Sequence, residues 1–183
     1  GVSMGGLLAA AHCRLHPRDV LSLSLICPVV RGTTGTRSRS LLSIPILGEL
    51  ALAATGTRRL RTRLTSIAPA TEPERSSFIH AAHEQLDFGY ARALLAAGRS
   101  DLFADQSRIY ASLSDTGAAI SIIRGDRDTE VTAADMAILK HCLPAATFAE
   151  IPNASHAVLI EDPAIITAHI IDNIRKGHFG CQT

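Results

Sequence analysis

Three side chains in this sequence have the types and the order for acyl-transfer chemistry: a serine, then a carboxylate, then a histidine. The serine stands in Gly1-Val2-Ser3-Met4-Gly5-Gly6, a G-x-S-x-G pattern in which a strand ends and turns sharply into a helix. So tight a turn brings the residues two before and two after the serine together, so Gly1 and Gly5 are expected where only very small side chains fit. A positive φ at such a turn costs energy. The turn aims the Met4 backbone N–H at the same point as the serine hydroxyl, where a helix N-terminus can hold an oxyanion. An alcohol is inert at neutral pH, so Ser3 needs a base within about 2.6 to 3.2 Å, and that base needs an orienting group on its other nitrogen. His156, in Ile151-Pro152-Asn153-Ala154-Ser155-His156, can serve as that base. The orienting acid is Asp128 or, two residues earlier in Gly125-Asp126-Arg127-Asp128, Asp126. Asp162 follows His156 too closely and reads, with Glu161 and Pro163, as a cap on the last helix.

The elements that must position these groups can be read from periodicity. A run dense in Leu and Ala from Met4 to about Leu15 predicts a helix with Leu7, Leu8 and Ala11 facing a core, ended by His16-Pro17. Val20 to Ile26 predicts a strand with Leu21, Leu23 and Leu25 on one face. Ala118 to Ile123 predicts a buried parallel strand, with the acid loop at its C-terminal end, where open α/β sheets place catalytic groups. Then come a helix from Ala133 to His141 with Thr132 as N-cap, and a strand from Thr147 to Ile151. Last is a helix from Pro163 to Ile174 with Ile165, Ile166, His169, Ile170 and Ile174 as a packing stripe, and a frayed tail beyond. Between Val29 and about Leu113 the pattern changes. A Gly/Thr/Ser/Arg-rich loop leads to one or two short helices over Leu41 to Ala54, a mostly helical stretch from Ser76 to Ala97 that Gly89 bends, and a helix over Asp105 to Leu113.

With serine, acid and histidine in this order, the chain resembles the C-terminal two thirds of an α/β-hydrolase fold protein, of the group that includes esterases, monoacylglycerol lipases and carbon–carbon bond hydrolases. The resemblance rests on Gly1 to Gly6, Leu21 to Pro28, Ile120 to Asp128 and Ile151 to Pro163. It implies Ser3 as nucleophile, Asp128 as the acid (three positions after a glycine), His156 as the base and the Met4 amide as an oxyanion donor. It implies an α/β fold with an incomplete parallel sheet flanked by helices. The organisation expected is catalytic domain over 1–28, helical cap over 29–113, catalytic domain again over 114–176, and tail over 177–183. In the family several strands precede the elbow, so a missing N-terminal segment or a partner chain is expected to supply them together with the second oxyanion N–H. The 183 residues alone are expected to be inactive or unstable. Departures from the family pattern are Arg124 where an aromatic commonly precedes the glycine, Glu130-Val131-Thr132 in place of a proline, and Asn153-Ala154-Ser155 where two glycines are common.

Composition narrows the field further. The chain is 46% apolar and 19% charged with net charge +1, a globular balance with no global field to recruit nucleic acid. Cys13, Cys27, Cys142 and Cys181 lack disulfide or metal spacing and read as thiols of a reducing, cytoplasmic setting. Arg58, Arg59, Arg61 and Arg63, interleaved with Leu60 and Leu64, read as the solvated face of an amphipathic helix. The sharper expectation for that face is weak contact with a membrane surface or steering of an anionic substrate. The function expected is a serine hydrolase for a small ester-like substrate with an apolar acyl part, using no metal and no organic cofactor. The competing expectation is a degenerate fragment that binds a partner through an apolar sheet edge.

Overall fold

A computed structural model of the chain describes residues 1–31, 57–86, 88–100 and 104–180. The β-branched run that ends at the acid loop forms strand β2, Ala119–Gly125, buried from Ile120 onward on both faces, as expected of an inner parallel strand. It pairs in parallel with β1, Ser22–Ile26, on one side and with β3, Thr147–Ile151, on the other. Ile26 lies opposite Ile123, and Gly125 opposite Ile151, so the three strands end along one edge. On the free side of β1, Val2 bridges Ile26 in parallel, Ile26 N–H donates to Gly1 O at 2.9 Å, and Ser3 N–H donates to Ile26 O at 2.9 Å. The serine turn therefore sits at the same edge as the acid and histidine loops.

Helix α1, Met4–Leu15, leaves that turn and buries Gly6, Leu7, Ala10 and Cys13. Leu8, expected in the core, is 55% exposed, because the buried face turns about Ala10 rather than Ala11. Leu21, expected in the first strand, precedes β1 and is also exposed. After the acid loop, α6, Ala133–Cys142, starts at Thr132 with a full capping box: Thr132 Oγ1 accepts from Asp135 N–H, and Asp135 accepts from Thr132 N–H.

The last helix, α8, Pro163–Gly180, packs on β1 and β2 and differs from the expected helix in two ways. It runs on through the stretch expected to be a frayed tail; the residues after Gly180 lie outside the described ones. Its inward face is Ile166, Ile170, Asn173 and Gly177, whereas Ile165 and Ile174 face outward. Two long-range contacts explain both differences. Asn173 Nδ2 donates to Ser24 Oγ and Ala119 O, each at 3.1 Å, and a Cβ on Gly177 would lie 2.5 Å from Leu21 O. The helix is drawn against the strand starts at a position where only glycine fits.

The chain divides into two compact units, Gly1–Arg31 with Asp105–Thr183, and Gly32–Ala104. The second unit is shorter at both ends than the stretch 29–113 read from the sequence. Gln106 N–H donates to Val30 O at 2.9 Å, Tyr110 Oη to Val29 O at 2.6 Å, and Arg31 Nε to Asp135 at 2.8 Å. The short helix α5, Ser107–Ala111, with its Tyr110 and the following Leu113 buried, therefore belongs to the first unit. Within the second unit lie α2, Thr57–Ser66, α3, Glu74–Glu84, and α4, Phe88–Arg99. The single helix expected over Ser76 to Ala97 is two, the first ending at Glu84, ahead of Gly89. Arg58, Arg61 and Arg63 are exposed on α2, and Leu60 and Leu64 are half-buried. The helices expected over 41–54 lie outside the described residues.

Candidate active site

Ser3 holds φ 51°, the left-handed region that non-glycine residues rarely occupy. The strain is held by the close pairing on either side of it. A Cβ on Gly1 would stand 2.4 Å from Gly5 O and 2.9 Å from the Gly6 Cα, so the residue two before the serine must be glycine. Gly5, expected to be equally confined, has open space where its Cβ would be. Gly6 is the second close approach, with a Cβ there 3.1 Å from Pro28 Cβ. Met4 is the first residue of α1, so its N–H has no intrahelical acceptor and points from the positive end of the helix.

The acid loop leaves β2 at Gly125. Asp128 is buried, and its two oxygens have separate duties. Oδ1 accepts the N–H groups of Glu130 at 2.8 Å and Val131 at 3.0 Å, while Oδ2 lies 2.8 Å from His156 Nδ1. Burial alone would push this carboxyl up; the hydrogen bond and charge of His156, with the Val131 N–H and the Cys27 side chain, outweigh it and hold Asp128 below its ordinary value. Asp126, the other candidate acid, is exposed, and its backbone N–H is spent on Ile151 O at 3.0 Å.

His156 follows β3 by way of Pro152 to Ser155. Its Nε2 lies 3.1 Å from Ser3 Oγ, completing a hydrogen-bonded line from Ser3 through His156 to Asp128. The histidine and acid loops are pressed together. Arg127 N–H donates to Ala154 O at 2.9 Å, a Cβ on Gly125 would be 2.2 Å from that same oxygen, and Arg127 donates a side-chain hydrogen bond to Asn153.

Several residues at the site were not nominated from the sequence. Glu161, the last residue of the short helix α7, Val158–Glu161, was expected in the helix cap and instead grips Ser155, accepting its N–H at 2.6 Å and its hydroxyl at 2.8 Å. Asp162 caps the last helix, its Oδ1 accepting Ile165 N–H at 3.1 Å. Cys27 directly follows β1, has φ 46°, and is fully buried; burial first and the Asp128 charge second push its thiol far up, so it stays protonated. Its place at the C-terminal edge of the sheet was the available signal. The ligand atoms of Cys27, Asp128 and His156 lie within 4.8 Å of one another. The 2.8 Å between His156 Nδ1 and Asp128 Oδ2 is a hydrogen bond, shorter than the roughly 3.3 Å that separates two ligands about 2.0 Å from one tetrahedral ion. Among the described residues no helix is long and apolar enough to cross a membrane.

Fold and sequence together assign the family. The model of the alpha/beta hydrolase family matches residues 1–168, and the chain belongs to that family. Among solved structures it is similar to a thermophilic esterase from Thermogutta terrifontis, at 19% identity and TM-score 0.74, over 97% of this chain and 64% of that one. It is similar to the enol-lactonase from Burkholderia xenovorans LB400, at 18% identity and TM-score 0.72, over 96% of this chain and 64% of that one. A third is the 2-hydroxy-6-oxo-6-phenylhexa-2,4-dienoate hydrolase from Rhodococcus sp. strain RHA1, at 16% identity and TM-score 0.69, over 96% and 62%. The chain thus spans less than two thirds of the length of each. No curated protein sequence matches it.

Proposed function

We propose that this chain carries the catalytic residues of a serine hydrolase that cleaves an ester or related carbonyl substrate with an apolar acyl part through an acyl-enzyme. The observation that carries the reading is the line Ser3 Oγ, His156, Asp128, with spacings of 3.1 and 2.8 Å. Ser3 Oγ attacks the carbonyl carbon as its proton passes to His156 Nε2. The carbonyl oxygen takes up the negative charge and is met by the Met4 N–H; we assign the second donor to a segment outside residues 1–183 or to a partner chain. The C–O bond to the leaving group breaks and His156 returns the proton to it. Water, deprotonated by His156, then attacks the acyl carbon, and Ser3 recovers its proton as the acid leaves. Asp128 holds the imidazole with its proton on Nδ1 and stabilises the imidazolium formed in each half-reaction.

The family spans ester, lactone and carbon–carbon bond chemistry, and fold alone does not choose among them. The ester assignment is tested by hydrolysis of p-nitrophenyl esters of increasing acyl length. Expected is hydrolysis by the native polypeptide that contains these residues, abolished by Ser3→Ala and by His156→Ala. Turnover that survives Ser3→Ala would remove Ser3 as nucleophile.

A further inference from the structure

Every residue of β2 from Ile120 to Gly125 is buried, and one of them is an arginine. Arg124 is 5% exposed, a place where a guanidinium costs several kcal/mol unless its charge and donors are matched. Its donors go almost entirely to the acid loop. Nη1–H donates to Val131 O at 2.6 Å, and Nη2–H to Asp126 O at 3.4 Å. Glu150, directly opposite in the β2–β3 register, brings Oε2 within 3.5 Å of Nη2. Nε is buried with no partner among the described residues.

The two carbonyls bracket Asp128, one two residues before it and one three residues after. Val131 is held from both ends: its carbonyl by Arg124, and its N–H, at 3.0 Å, by Asp128 Oδ1. A single residue therefore joins the guanidinium to the carboxylate that orients His156. Resting on the reading of Ser3, His156 and Asp128 given above, we propose that Arg124 is a positioning residue for Asp128: its fork holds both limbs of the acid loop and, through Val131, sets the direction of the carboxylate. A lysine, with one point of charge in place of a planar fork, cannot hold both carbonyls in the same way.

The test uses the native polypeptide that contains these residues, labelled with ¹⁵N. An imidazole Nδ1–H donated to a buried carboxylate gives a proton resonance far downfield of the amide region, assigned to His156 by its loss in Asp128→Asn. In Arg124→Met this resonance broadens or moves upfield, and the rate at which Ser3 takes up a fluorophosphonate falls about 10²-fold, the scale of a 1 Å misplacement. Arg124→Lys keeps the charge and the stem and falls between wild type and Arg124→Met; it carries the test if the methionine variant does not fold. A folded Arg124→Met with the resonance unmoved and phosphonylation within threefold of wild type overturns the proposal, since a part in core packing alone predicts a lower melting temperature and nothing more. Wild type lacking both the resonance and Ser3 labelling overturns the reading of the site itself, and this assignment with it.

Discussion

Replacing Asp128 by asparagine should stop the chemistry while sparing the fold, and the hydrogen bonds say why. Oδ1 faces two backbone donors, Glu130 N–H and Val131 N–H, while Oδ2 faces His156 Nδ1 at 2.8 Å. The carboxamide introduced by Asp128→Asn must keep its oxygen toward the two N–H groups; flipped, it would set an NH₂ against both donors and leave them unpaired, at about 1–3 kcal/mol each. The NH₂ is thereby fixed toward Nδ1, which must become an acceptor. The imidazole proton moves to Nε2 and points at Ser3 Oγ, and the base is lost. A wrong-tautomer histidine lowers kcat by roughly 10⁴-fold, about 5.4 kcal/mol of barrier. The assay is the second-order rate of fluorophosphonate labelling at pH 8, with the near-UV dichroism of each variant as the check on folding. Asp126→Asn, at the exposed neighbour, should label within about twofold of wild type. Labelling of Asp128→Asn within tenfold of wild type, or a larger loss in Asp126→Asn, would refute the assignment of the acid.

Four further outcomes follow from the geometry. Gly177→Ala should destabilise the chain in thermal unfolding although it exchanges a helix-interior glycine for alanine, normally a gain of roughly 0.5–1 kcal/mol, because its Cβ would meet Leu21 O at 2.5 Å. Ile166→Ala should cost about 2–5 kcal/mol in denaturant unfolding and Ile165→Ala within about 0.5, the reverse of what an inward Ile165 would give. Gly1→Ala should lower the melting temperature while Gly5→Ala should leave it level or raise it, since the first Cβ clashes with Gly5 O and the second meets nothing. The Asp128 carboxyl is held below its unfolded value of about 3.9, so the unfolded chain binds more protons in that window. The stability it contributes is complete above about pH 4 and is lost as pH falls through the folded value; an acid titration of stability should be shallower in Asp128→Asn than in wild type.

What could be read from the sequence was what local chemistry decides. Helix α1 follows the Leu/Ala run from Met4 to Leu15, β3 spans Thr147–Ile151 as read, and Thr132 caps α6, because each depends on residues a few positions apart. Ser3, Asp128 and His156 could be nominated together because strand ends fall at one edge of a parallel sheet, and the structure brings the three into one hydrogen-bonded line. The misreadings come from contacts that periodicity does not show, some across the fold and some around a loop. The inward face of α8 is turned by Asn173 reaching Ser24 and Ala119, and its length is held by Gly177 against Leu21. Glu161 looked like a cap until the loop folded back and put Ser155 in its reach. Arg124 read as a departure from the expected aromatic, and nothing nearby in sequence announces that its fork ends on the carbonyls of Asp126 and Val131. The first unit resumes at Asp105, where Gln106 and Tyr110 bond back to Val30 and Val29.

The most direct test of the central claim is the intact mass of the native polypeptide containing these residues after treatment with a fluorophosphonate. The account expects one adduct, located on Ser3 by peptide mapping, absent in Ser3→Ala and slowed by roughly 10⁴-fold in Asp128→Asn. A folded polypeptide that takes no adduct, or an adduct that survives Ser3→Ala, would contradict it.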